Sequence, residues 1–334
     1  MNATTPLAAA TTLALSALGT VAAAQEDRPV LTVYAGDYVA SEWGPGPRIE
    51  EMFEARCDCD LQFSTGDLLP RLMLEGERTD ADIVFGLNTD VTRKARESGL
   101  FAPHGQDTSD LTLPVEWTDD TFLPYNYGHT AFVYDTDRVT EPPESFDALL
   151  EAPDDLSIVI QDPRTSISGL AMALWIDAVY GDEAQAAWEA LAPKILTVTK
   201  GWSESYGLFT DGEADMVLSY TTSPAYHLIA EDDDTVKAAI FPEGHYFMVE
   251  LVARTSTTDV PELADEFLSF VLSEDFQSMI ATGNWSIPAK LPREKWPEGF
   301  QALELPDEVL FYDEDEAAAR REEAIEAWRR GLSQ

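Results

Sequence analysis

The side chains best suited to chemistry gather in one stretch, KGWSESYGLFTDGEADMVLSYTTSPAY, residues 200–226. Trp202 and Tyr226 bracket a hydroxyl-rich turn, Thr221-Thr222-Ser223-Pro224, that follows Tyr220. Two aromatic faces around a run of hydroxyls suit a flat cation that also carries hydrogen-bonding groups, because a ring's negative face attracts positive charge. A plainer reading competes with this one: a core strand with tyrosines packed against it. The order of elements expected here is a loop presenting Trp202, a short helix with Tyr206, Leu208 and Phe209, a turn at Asp211-Gly212, and a buried strand over 216–220. The polar turn then delivers Tyr226. This order sets side chains and free N–H groups at the carboxyl end of a strand, where open α/β sheets bind ligands.

A second candidate is Asp162-Pro163-Arg164-Thr165-Ser166, a loop that precedes a helix running from Gly169 to about Tyr180. Hydroxyls and unpaired N–H groups converge at such a junction and favour an anion. Ser168 reads as the plain N-cap of that helix. Gly66-Asp67, between the second strand and its helix, supplies a carboxylate that could accept from an amine. Trp43 stands ahead of the first helix, where its ring either faces a cleft or caps the core. The four histidines (His104, His129, His227, His245) show no ligand spacing and read as surface or satisfied core residues. No metal or cofactor is expected.

The elements that must hold these groups alternate strand and helix. LTVY (31–34), the strand beginning LQF (61–63) and ADIVFGL (81–87) are strands. The helix after the first of them turns Ile49, Met52 and Phe53 to one face. This repetition indicates a mostly parallel sheet flanked by helices. YNYGHTAFVYD (125–135) and HYFMVELVAR (245–254) are strand-like, lie far apart, and are assigned as crossings between two lobes. The second α/β unit between them includes a strand over 157–161. Glu231-Asp232-Asp233-Asp234 is read as a solvated loop, residues 261–272 and 274–281 as helices, and Thr282-Gly283-Asn284-Trp285 as a loop. The last helix places Asp313 to Glu316 in its first turn and Arg329-Arg330 in its last, matching the helix dipole.

With 334 residues the chain is long enough for two domains. Its 62 acidic against 21 basic side chains give a net charge of −41, which argues against nucleic acid, since phosphate contacts need clustered Lys and Arg. Such a surface keeps a protein hydrated in salty media and points to a marine or halophilic host. Screening confines surface charge to roughly 10 Å, so the charge does not locate the site. Residues 1–24 form an Ala/Leu/Thr-rich leader with small residues at a cleavage point after Ala24, although no Lys or Arg precedes Arg28. No other run is apolar for long enough to span a bilayer.

GWSESYG and LSYTTSPAY, with IQDPRTS upstream and TGNW downstream, together resemble the periplasmic thiamine-binding proteins of ABC importers. The resemblance runs in order from LTVYAGD to the last helix. It implies a two-lobed α/β fold of the type II periplasmic binding class, with 28–126 and 255–334 as one lobe and 127–254 as the other. It implies a monomer in the periplasm of a Gram-negative bacterium that takes up thiamine, with its mono- and diphosphate (thiamine pyrophosphate), and hands it to an inner-membrane permease driven by an ATPase.

On this resemblance Trp202, Tyr226 and Trp285 cage the thiazolium, and Trp43 faces the same cleft. Ser166 and the Ile167 N–H take the hydroxyethyl arm or its phosphate, and Tyr220, Thr221, Thr222 and Ser223 add donors. Gly66 and Asp67 take the aminopyrimidine. Each ring over a desolvated cation contributes about 1–2 kcal/mol. Nanomolar binding needs about −12 kcal/mol, so hydrogen bonds and lobe closure must supply the rest.

Two departures touch the pyrimidine end. The segment before Asp67 is shorter than the usual pattern. Gly36 stands where thiamine binders can carry a tyrosine, so either Tyr38 substitutes or the site has one stacking ring fewer. In an oxidising periplasm Cys57 and Cys59, spaced C-x-C, are expected to close a small disulfide that acts as a local clip. Two alternatives remain. Thiaminase I shares the fold and the ligand but needs a cysteine nucleophile. A polyamine or ferric-iron binder would want clustered carboxylates or adjacent tyrosines.

Overall fold

The structure, a computed structural model, describes residues 28–40 and 44–333. The leader over 1–24 and Trp43 lie outside the described residues. Alternating apolar residues make Val30–Ala35 (β1) a strand buried on both faces: Leu31, Val33 and Ala35 enter one core while Tyr34 enters another. Asp60–Thr65 (β2) and Ile83–Asn88 (β3) pair with it in parallel on either side. Leu123–Asp135 (β4) and His245–Arg254 (β9) are long, almost wholly buried, and antiparallel to each other. Ile158–Gln161 (β5) lies parallel between Ile195–Thr199 (β6) and Met216–Tyr220 (β7). The short Val236–Ala238 (β8) pairs with β4. The strand order is β2-β1-β3-β9-β4-β7-β5-β6.

This order makes a two-lobed molecule. One lobe is the parallel β2-β1-β3 group closed by β9, and the other is the β7-β5-β6 group closed by β4. β4 and β9 belong to both, so the two expected crossings are one antiparallel pair. Leu31, Phe53, Phe85, Phe267 and Phe276 form a core on one side of the first lobe. Phe132, Phe146, Trp175 and Phe241 form the main core of the second. The terminal helix Glu314–Gly331, grouped by sequence with the first lobe, contributes Ala324 and Trp328 to this second core. Its first turn also reaches the helix Thr89–Glu97 of the first lobe through Arg93–Asp315 and Arg96–Glu314. Tyr246 Oη donates to Asp90 Oδ1 at 3.0 Å, a further link between the halves. Among the described residues no helix is long and apolar enough to cross a membrane.

Cys57 and Cys59 form the expected disulfide just after the helix Gly46–Glu54, with Cα atoms 5.2 Å apart. All four histidines are buried. His129, on β4, packs against Tyr127 and Phe247, and neither ring nitrogen has a hydrogen-bond partner. Burial, helped by nearby His245, pushes its pKa down to about 3. An unfolded chain protonates this histidine below about 6.5 while the folded one does not, so the unfolded state binds more protons and folding weakens as pH falls from about 6.5 towards 3. At pH 4.5, His129→Phe should recover on the order of 2 kcal/mol of the stability that wild type loses relative to pH 7. Denaturant midpoints at the two pH values measure it, and an unchanged acid slope would remove His129 as the cause.

Candidate functional site

β7 ends where the hydroxyl turn begins, and the turn is packed inward. Thr221, Thr222 and Ser223 are each less than a tenth exposed, with Thr221 Oγ1 left unpartnered. Ser223 Oγ shares a 2.7 Å hydrogen bond with Ser219 Oγ, which also accepts from Trp202 Nε1 at 2.8 Å. Trp202 is not in a loop. It opens the helix Trp202–Thr210, after Gly201, and stacks on Tyr206 with centroids 4.6 Å apart and planes at 23°. One indole face is therefore covered by Tyr206 and the edge is pinned to β7.

The helix beside β5 starts earlier than expected, at Ile167. Ser166 is its N-cap, with Oγ accepting from Gly169 N at 3.3 Å. Ser168, the expected cap, instead shares a 2.6 Å hydrogen bond with Tyr220 Oη. The cause is simple: a tyrosine 52 residues away claims Ser168 and leaves Ser166 to cap the helix. The N–H groups of Ile167 and Ser168 are those a first helical turn leaves unpaired. Arg164 is folded back on Asp162, holding that carboxyl below the usual carboxylate range, and its guanidinium lies 5.2 Å from the Trp328 ring centroid.

Tyr226 ends the short helix Ser223–Tyr226 and meets Trp285 edge to face at 5.1 Å. Trp285 has a left-handed backbone, φ 50°, which a bulky residue adopts only when its surroundings hold it, and such positions cluster at ligand clamps. The chain then passes through a π-type turn, His227–Glu231, another local irregularity common at functional sites. The acidic run is not merely a solvated loop. Glu231 is hydrogen-bonded to His227 Nδ1 at 2.7 Å, and the other ring nitrogen to Tyr206 Oη at 2.8 Å. With Asp233, these residues bring ligand-type atoms within 4.8 Å of one another, a grouping that spacing alone does not reveal. A recess of about 290 Å³ opens behind the turn, between Thr221, Pro224 and Leu228 on one side and Gly299 and Leu303 on the other.

At the first lobe's edge Gly66 takes φ 145° and Asp67 is exposed at the start of the helix Leu68–Glu75. Gly36 is explained by its neighbour. A Cβ there would lie 2.7 Å from Tyr38 Cε1, so the Tyr38 ring occupies the space of a side chain at 36. Tyr38 Oη donates to Glu250 Oε1 at 2.7 Å. Glu250 also accepts from Asn284 Nδ2, one residue before Trp285. Sequence reasoning misses Glu250, although a lone acid inside the apolar strand HYFMVELVAR is a signal that could find it.

The sequence profile of the bacterial extracellular solute-binding proteins matches residues 50–302. The chain belongs to this family. The thiamine-binding periplasmic protein of Brucella abortus biovar 1 (strain 9-941) is 47% identical over 321 residues, covering 95% of this chain and 96% of the relative. That of Escherichia coli (strain K12) is 46% identical over 310 residues, covering 92% and 94%. A solved periplasmic thiamin binding protein superposes with a TM-score of 0.88 at 46% identity, covering 92% of this chain and 97% of that one. The resemblance drawn from the four motifs and the type II periplasmic binding fold are thereby shown for this solute-binding protein, and its relatives are named as binding proteins of the periplasm.

Proposed function

We propose that this solute-binding protein captures thiamine and its mono- and diphosphate in the periplasm, as a monomer, and delivers them to an inner-membrane ABC permease with its ATPase. The observation that carries the reading is the Tyr226–Trp285 ring pair, which joins the turn after β7 to the loop after the helix Glu274–Gly283. Trp202 is pinned to β7, while Tyr226 meets a Trp285 held at positive φ. A permanent cation cannot shed its charge into bulk solvent, so aromatic faces in a desolvated cleft hold it. The names of the relatives support the same ligand. Ser166, with the first-turn N–H of Ile167, takes the arm, and Gly66-Asp67 with Tyr38 borders the pyrimidine end. Ligand contacts to both lobes favour the liganded arrangement by population shift.

Binding without turnover is supported by the thiols: Cys57 and Cys59 are tied to each other, leaving neither as a nucleophile for a thiaminase-like reaction. Iron or polyamine chemistry is not favoured: the relatives at 46–47% identity are named as thiamine-binding proteins, and Tyr220 Oη is committed to Ser168. Ser166→Ala should weaken binding of thiamine phosphates about tenfold, the value of a hydrogen bond to a charged group, and that of thiamine much less. Tryptophan fluorescence titrations with the three vitamers test this. An equal loss for all three would reduce Ser166 to a helix cap, and no response to any vitamer would sink the ligand assignment.

A further inference from the structure

Glu250 is 6% exposed and lies on β9, in the part of the sheet shared by both lobes. Its carboxylate is gripped by Tyr38 from the loop after β1 and by Asn284 from the end of the helix Glu274–Gly283. Across the strand pair it faces Asn126, which is fully buried. Two residues further along β4, Gly128 has no side chain, so the Tyr220 ring lies 3.6 Å from where its Cβ would be. The shared strand pair thus carries an acid held by Tyr38 and Asn284 and set opposite Asn126, with the Tyr220 ring over the neighbouring Gly128.

None of the ion pairs among the described residues includes Glu250. Hydrogen bonds alone do not cancel a charge. A carboxylate taken out of water without a positive partner is costly, and burial does push this one's pKa up, against the polar side chains of Tyr38, Asn126, Tyr125 and Asn284 that hold it down. A chain of net charge −41 could relieve that cost with one Lys or Arg, and among the described residues none is paired with it.

We propose that Glu250 is the cleft's counter-charge, a specificity residue that selects ligands carrying a fixed positive charge. The cation between the rings supplies the partner that the protein itself withholds, and Asn284 ties the acid to Trp285 so that charge and ring act on the same group. Neutral molecules of the same shape leave the carboxylate uncompensated and bind less well. The inference rests on the thiamine reading and names what within that site discriminates.

The test compares thiamine with its neutral isostere, in which the thiazolium is replaced by an uncharged thiophene, on wild type and Glu250→Gln. Wild type should prefer thiamine at least tenfold. Glu250→Gln should lose tenfold or more for thiamine and less than twofold for the isostere, with an unchanged melting profile. Equal losses for both ligands would make Glu250 a scaffold residue only and overturn the proposal. The wild-type comparison stands alone if the variant does not fold: equal affinity for cation and isostere overturns the proposal without it. Wild type ignoring thiamine altogether has a different signature and removes the functional reading beneath it.

Discussion

Replacing Trp202 by alanine is expected to weaken thiamine binding tenfold or more, measured by calorimetry. In the proposed cage the indole has one face left for the ligand, because Tyr206 covers the other at 4.6 Å and Ser219 fixes its edge. A ring held in this way contributes to a desolvated cation without first losing side-chain freedom, so the whole of its attraction, about 1–2 kcal/mol, appears in the affinity. Alanine removes the ring, leaves Tyr206 without its stacking partner and takes one donor from Ser219. Trp202→Phe keeps an aromatic face and loses only the N–H, so it should retain most of the affinity. Unchanged affinity in the alanine variant would take Trp202 out of the cage.

The second large effect is expected from Gly169→Ala. A Cβ at this position would sit 2.6 Å from Gln161 O and 2.8 Å from both Asp162 C and O. All three are backbone atoms, so no side chain can swing away. The first turn of the helix would have to lift off the end of β5, taking the Asp162-Ser166 loop with it. Overpacking of this kind costs about 1–3 kcal/mol, which lowers the melting temperature by several degrees in a chain of this size. Affinity for the phosphate esters should fall further than affinity for thiamine, because the displaced N–H groups are those assigned to the phosphate in the proposed site. A melting curve that superposes on wild type would show that the junction has slack.

Much of this architecture is legible in the chain. Met216–Tyr220 and His245–Arg254 are strands over the expected residues, because apolar and β-branched runs with clear turn residues at their ends leave little choice. Helix starts are harder. Gly201 caps the helix at Trp202 without any side-chain bond, so no capping residue marks it. Ser166 and Ser168 offer two caps, and Tyr220 decides between them through a hydrogen bond invisible in local sequence. The same holds for Glu250 and His129, whose strand assignments hide a buried acid and a buried neutral imidazole. At Gly36 the missing side chain reads as a gap in the site, whereas the Tyr38 ring fills that space from two residues away. Periodicity reports which face is buried; it does not report what a buried polar atom meets there.

The terminal helix spans the two halves with unlike fastenings. At one end Asp315 and Glu314 hold Arg93 and Arg96 by exposed charge, and at the other Trp328 is set in apolar packing. Salt acts on these in opposite senses, shielding the first and, for strongly hydrated anions, tightening the second. In brine the strap slackens where it meets the first lobe and grips where it meets the second. Ionic strength therefore shifts the balance between the two fastenings of one helix.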